Sequence, residues 1–279
     1  FNWNGTSWIQ IAFLKASNAG SDDYFGNSVS LYNWTLIVGA YLEDSSATGI
    51  NGNQNDNSAS DSGAVYLFEF DGINSWTQTT YIKPSNTQSG LYFGYSVALY
   101  ENFLVVGAVF EDSSSTLVNG DQTNTGAIES GSAYVFERNN GIWSQTAYLK
   151  ASNTGGGDTF GYSVSISQNI IVVGAYQEDG SGVGVNSTNQ ADIYLASNSG
   201  AAYVYEKQMN GEWIFTTYLK AINTGAYDNF GWSVDVNDKW IVVGAILEDS
   251  SSQSYPNDNS LSNSGAVYVY SHNSSTTPS

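Results

Sequence analysis

Four Glu-Asp pairs stand at matching places along the chain: Glu43-Asp44, Glu111-Asp112, Glu178-Asp179 and Glu248-Asp249. Each follows a Val-Gly-Ala run, and a Trp-led segment ending in Lys15, Lys83, Lys150 or Lys220 recurs with the same period. Paired carboxylates in loops are hard oxygen ligands of the kind that hold Ca²⁺. Asp23, Asp158 and Asp228, two residues ahead of a Phe, would add to such a set, although Gly90-Leu91-Tyr92 breaks the pattern in the second copy. The same carboxylates suit a second task, in which one caps a loop and the other pairs with the Lys of its unit. Both readings stay open at this stage, with calcium the only cofactor that the residues suggest.

Other chemistry is excluded by what the chain lacks. His272 is the single histidine and there is no cysteine, so a Ser-His-Asp triad and His or Cys sites for zinc or iron have no ligands. No Gly-x-x-x-x-Gly-Lys phosphate loop occurs. A carboxylate pair can hydrolyse glycosides, but a catalytic centre is normally singular and these pairs recur four times. The expectation is a protein that is not an enzyme.

The elements that must position these residues repeat about every 68 residues. Each unit contains Phe-Gly-x-Ser-Val, starting at Phe25, Phe93, Phe160 and Phe230. An apolar run ending Val-Gly-Ala comes next, then a long loop, then a Gly-led aromatic segment such as Gly63-Ala64-Val65-Tyr66-Leu67-Phe68. The Trp-led segments are Trp8 to Lys15, Trp76 to Lys83, Trp143 to Lys150 and Trp213 to Lys220. Trp143, Gln145, Ala147 and Leu149 alternate with polar neighbours, which predicts a strand. The Val-Gly-Ala run reads as a strand buried on both faces, and no helical period appears. Four strands per repeat predict an all-β, four-bladed β-propeller.

The Phe-Gly and Gly-Ala landmarks resemble the FG-GAP repeat of integrin α-subunit propellers and bacterial cell-surface proteins. The resemblance spans all four copies, with Tyr41, Val109, Tyr176 and Ile246 replacing the Pro of that motif. It implies that the Phe-Gly strand is innermost in each blade and that the setting is extracellular or cell-surface. It carries over no metal ligands, because the Asp-x-Asp-x-Asp-Gly loop of integrin-type sites is absent.

The repeats run approximately over 8–75, 76–142, 143–212 and 213–272, a single domain 1–272 followed by a Ser/Thr tail at 273–279 that reads as a flexible linker. The chain starts on a Trp strand and ends on a repeat without one. The expectation is that Trp8 to Lys15 closes the last blade within the chain, the alternative being exchange of that strand between protomers, as in a surface filament.

The 26 acids and 7 bases give a net charge of −19, and most of the acids are expected on the face that carries the long loops. Seven scattered cations cannot neutralise a run of phosphates, so no nucleic-acid partner is expected. With 41% hydrophobic and 14% aromatic residues the chain should fold, yet no apolar run is long enough for membrane insertion. The remaining partners are a second copy of the chain, as oligomer or filament, or a cell-surface protein or glycan. Sugar stacking would fall to Trp34, Trp232 and Trp240, in a lectin-like and calcium-dependent alternative. Asn4, Asn33, Asn186 and Asn273 stand in glycosylation sequons. The function expected is a non-catalytic extracellular structural, adhesion or assembly module.

Overall fold

The computed structural model describes residues 2–187, 196–252 and 257–272. The sequon at Asn273 and the tail 273–279 lie outside them. The chain is all-β. After a short β1 (Asn2–Trp3) and β2 (Trp8–Ile9), the first blade is β3 (Ser28–Tyr32), β4 (Thr35–Ala40), β5 (Ala64–Phe70) and β6 (Trp76–Ile82). The second is β7 (Phe93–Tyr100), β8 (Phe103–Ala108), β9 (Ser132–Asn139) and β10 (Ile142–Leu149). The third is β11 (Ser163–Ser167), β12 (Ile170–Ala175), β13 (Ala201–Lys207) and β14 (Trp213–Leu219). The fourth has β15 (Phe230–Val236), β16 (Trp240–Ala245) and β17 (Ala266–Ser271). Every sheet is an antiparallel meander in chain order. Among the described residues no helix is long and apolar enough to cross a membrane.

Closure by the first strand is not what the structure shows. Trp8 and Ile9 pair with Asn2 and Trp3. The turn between them is fastened by the Asn4 carboxamide oxygen, which accepts from the amides of Thr6 and Ser7. Among the described residues the fourth sheet has three strands and ends at β17, and the first and fourth blades do not pack on each other as neighbouring blades do. The physical reason is that a local hairpin satisfies β2 at once, whereas docking on β17 needs the two ends of the array to meet.

Strict alternation along the Trp strands is also interrupted. The ladder skips one residue in each, at Thr79, Thr146 and Thr216. A bulge of this kind re-aims the side chains beyond it. After the second of these, Ala147, Tyr148, Leu149 and Lys150 are all buried.

The cores lie between blades. Val97 and Leu99 of the second blade are in one cluster with Ile37, Val65 and Leu67 of the first. Within each blade the Phe of Phe-Gly meets two rings of the third strand edge-on, as Phe93 does with Tyr134 at 5.5 Å and Phe136 at 6.1 Å. Two glycines allow the blades to approach. A Cβ on Gly107 would lie 2.0 Å from the Gly161 carbonyl oxygen, and one on Gly131 (φ +78°) would lie 2.1 Å from that of Phe160. The Ser96 hydroxyl then donates to the Gly161 carbonyl across the junction at 2.7 Å.

Candidate functional site: three buried Lys-Glu clusters and a fourth buried Glu

The Glu of each Glu-Asp pair leaves its Val-Gly-Ala strand and turns inward. Lys83 Nζ lies 2.9 Å from Glu43 Oε2, Lys150 Nζ 3.0 Å from Glu111 and Lys220 Nζ 2.8 Å from Glu178, all fully buried. Each ammonium also donates to a hydroxyl, Ser62 at 2.7 Å, Ser130 at 2.8 Å and Ser199 at 2.6 Å. That hydroxyl in turn donates to two backbone carbonyls of the long loop; for Ser62 these are Glu43 and Ser45. The other carboxylate oxygen accepts from Tyr81 and Asn18 in the first blade and from Tyr218 and Asn153 in the third. The second blade keeps the ion pair, but Tyr148 Oη and Glu111 Oε1 have no hydrogen-bond partner. A buried charge pair is tolerated only when its remaining lone pairs and protons are met, and these clusters meet nearly all of them. Burial holds all three Lys ammonium groups below their ordinary value, partly offset by the neighbouring Glu.

The Asp of each pair has a different task. Its Oδ1 accepts from the amide of Asp61, Glu129, Asn198 or Asn263 at 2.7–2.9 Å. Those four residues hold positive φ of 50–57°. The Asp therefore stabilises a left-handed turn that closes the long loop. Asp23 and Asp228 accept from the Gly20 and Gly225 amides, and burial pushes both carboxyls above their ordinary value. Asp158 accepts likewise from Gly155. In the second blade the buried Leu91 takes that place without a carboxylate.

This donor set does not fit calcium. Ca²⁺ asks for six to eight converging oxygens, but here one Glu oxygen faces an ammonium and the Asp oxygens are held by amides. Among the described residues no three carboxylate or imidazole groups converge as a metal site.

The aromatic candidates separate. Trp34 stacks on Phe70 at 5.3 Å and, like Trp240, lies at the short-turn end of its blade. Trp232 lies at the opposite end, 4.8 Å from Tyr162 and 4.9 Å from Tyr176. It ends a ring ladder that runs from Tyr24 through Tyr41, Tyr95 and Tyr162, with centroids 5.1–5.5 Å apart. Sequence reasoning missed this ladder because its members vary between repeats: Asn27, Tyr95, Tyr162 and Trp232 share one register. It also missed Asn18, Asn153 and Asn223, whose recurrence two residues beyond each Lys-Ala or Lys-Ala-like step was the available signal. Of the sequons, Asn4 and Asn33 sit in exposed turns, and the Asn186 carboxamide oxygen accepts from the Tyr218 amide.

A solved structure with some likeness is that of a hypothetical selenium-binding protein from Sulfolobus tokodaii, at 9% identity and a TM-score of 0.42. The likeness covers 87% of this chain and 50% of that one, so the chain spans half the length of that relative. No curated protein matches. The FG-GAP repeat family matches at residues 8–68, 76–136, 143–205 and 213–270, which takes in every blade and all four Glu-Asp pairs, and the chain belongs to that family.

Proposed function

We propose that this chain is a non-catalytic structural or assembly module that works outside the cell or on its surface. The observation that carries the reading is the fate of the one repeated chemistry in the sequence. Glu43, Glu111 and Glu178 are sealed under Lys83, Lys150 and Lys220, and the adjacent Asp residues cap turns. A catalytic carboxylate needs access to substrate, and these three Glu side chains are buried under their Lys partners. Excess negative charge in the loops keeps such a module soluble without recruiting nucleic acid.

Two measurements test this. Purified protein assayed on glycosidase and esterase substrates should give no turnover above the blank; turnover that Glu111→Gln removes contradicts the reading. A membrane-impermeant label applied to intact producing cells should modify the protein, and labelling only after lysis contradicts the surface setting.

A second reading, recognition of a cell-surface glycan, has the Tyr24 to Trp232 ladder in its favour. Rings in a row present a flat apolar face of the kind sugars stack on, and the Tyr41 hydroxyl lies near the loop acid Asp61. A glycan array with no hits on folded protein would sink it.

A further inference from the structure

The two ends of the blade array are the two halves of an interface that the chain builds three times within itself. Val65 and Leu67 are fully buried in one cluster with Val97 and Leu99 of the next blade. At the same register of β17, Val267 and Val269 are 67% and 61% exposed. Val29 and Leu31, which match Val97 and Leu99, are 62% and 61% exposed. The backbone tells the same story. Gly39, Gly107 and Gly174 each lie against the Phe-Gly carbonyl of the following blade, with 2.0–2.1 Å to a would-be Cβ. Gly244 keeps that glycine with no following blade against it, and Gly26 has nothing within 4 Å where its counterparts are tightly packed.

Charge supplies the specific match. Glu248 is as buried as its three counterparts, and Ser264 donates to the Glu248 and Ser250 carbonyls just as Ser62 does to its own pair. Asn223 and Ser250 donate to its carboxylate, but among the described residues no cation pairs with it. Lys15 is exposed and makes no ion pair within 4.0 Å among the described residues, at the end of a segment in which Trp8, Ile11 and Phe13 are also exposed. Trp8, Leu14 and Lys15 stand where Trp143, Leu149 and Lys150 stand in a complete blade. A cleft between the third and fourth blades, lined by Leu219, Ile241, Val269 and Tyr270, reaches β17.

We propose that a second copy of this chain docks head to tail on the fourth blade. Its Trp8–Lys15 segment adds to β17 as the outer strand, its Val29 and Leu31 cover Val267 and Val269, and its Lys15 pairs with Glu248. The contact is strand addition with a heterologous interface, which gives a closed ring if the rotation closes and an open filament if it does not. It rests on the assembly reading above and names the partner.

The test is sedimentation of the 279-residue chain over a wide concentration range with a charge-reversal pair. Wild type should associate with concentration, and Lys15→Glu or Glu248→Lys alone should weaken association at least tenfold. A one-to-one mixture of the two variants should restore it, because each Lys15-side residue then meets an acceptor of opposite charge. A wild type that stays monomeric at every concentration, or a mixture no different from its components, overturns the proposal. If Glu248→Lys does not fold, carbodiimide crosslinking of mixed ¹⁴N and ¹⁵N wild-type protein decides. A Lys15–Glu248 crosslink joining light to heavy peptides is the expected result. A crosslink found only within one isotope, which reports closure inside a single chain, overturns it, as does none at all. Enzymatic turnover or absence from the surface would sink the functional reading without altering any of these results.

Discussion

The second and fourth blades carry the same Glu-Asp, Phe-Gly and Val-Gly-Ala residues at the same register, yet they meet opposite fates. In the second, Lys150 reaches Glu111 at 3.0 Å, and Ala133 and Val135 are buried in one cluster with Ile166 of the third blade. In the fourth, Glu248 waits in an equivalent buried position without its cation, and Val267 and Val269 face solvent. The difference teaches that a blade here is not self-sufficient. Its outer strand supplies the Lys and its neighbours supply the cover, so the apolar and ionic parts of the fold are completed together or not at all.

The comparison is broken most forcefully at the ion pair. Lys150→Met leaves Glu111 charged and buried, and should lower the unfolding free energy by about 3–5 kcal/mol in urea titrations. Glu248→Gln, measured in dilute and unassociated protein, should change it by less than about 1 kcal/mol, since no buried partner is stranded. Equal losses at the two sites would erase the distinction. Next comes apolar cover: Leu99→Ala should cost about 2–5 kcal/mol, while the equivalent but exposed Leu31→Ala should stay within about 0.5 kcal/mol. A smaller contrast separates the first and second blades. Tyr81 donates to Glu43 at 2.9 Å, so Tyr81→Phe should cost about 1.5–3 kcal/mol, whereas Tyr148→Phe removes a hydroxyl without a partner and should be near neutral.

The smallest effect is a pH dependence. Hydroxyl and amide donors hold the loop carboxyls of Asp56, Asp121 and Asp258 below their ordinary 3.8. A depressed carboxyl contributes stability that is present above pH 3.8 and lost as pH falls through its folded value. Melting temperature should therefore fall on acidification below 3.8, and Asp56→Asn should make that fall shallower. Asp23 and Asp228 have the opposite sign: their raised affinity for protons makes the folded state slightly less favoured as pH climbs from 3.8 through their folded values.

Much of this architecture was legible in the residues. The spacing of Phe25, Phe93, Phe160 and Phe230 defines the blades, and period-two alternation with a buried Val-Gly-Ala run defines three of their strands. The Lys-per-repeat count pointed to an ion pair, while the choice between Lys and calcium needed the inward turn of Glu43 and its equivalents, a matter of side-chain direction that spacing does not carry. The Thr79, Thr146 and Thr216 bulges left no trace in an alternating pattern, because Thr is acceptable in either place. The pairing of Trp8 and Ile9 was misread: the phase of the repeats pointed to closure of the last blade, whereas the turn fastened by Asn4 folds them back on Asn2 and Trp3. The ring ladder escaped because blade stacking, not a shared residue type, brings Tyr95, Tyr162 and Trp232 together.

The central claim is that the repeated Glu belongs to the Lys of its blade. A double-mutant cycle on Lys150→Met and Glu111→Gln, read by urea unfolding with calcium and with a chelator, measures this directly. The account predicts a coupling energy of about 2–3 kcal/mol that is the same in both conditions. Losses that add independently, together with a calcium-dependent rise in stability that Glu111→Gln removes, would contradict it.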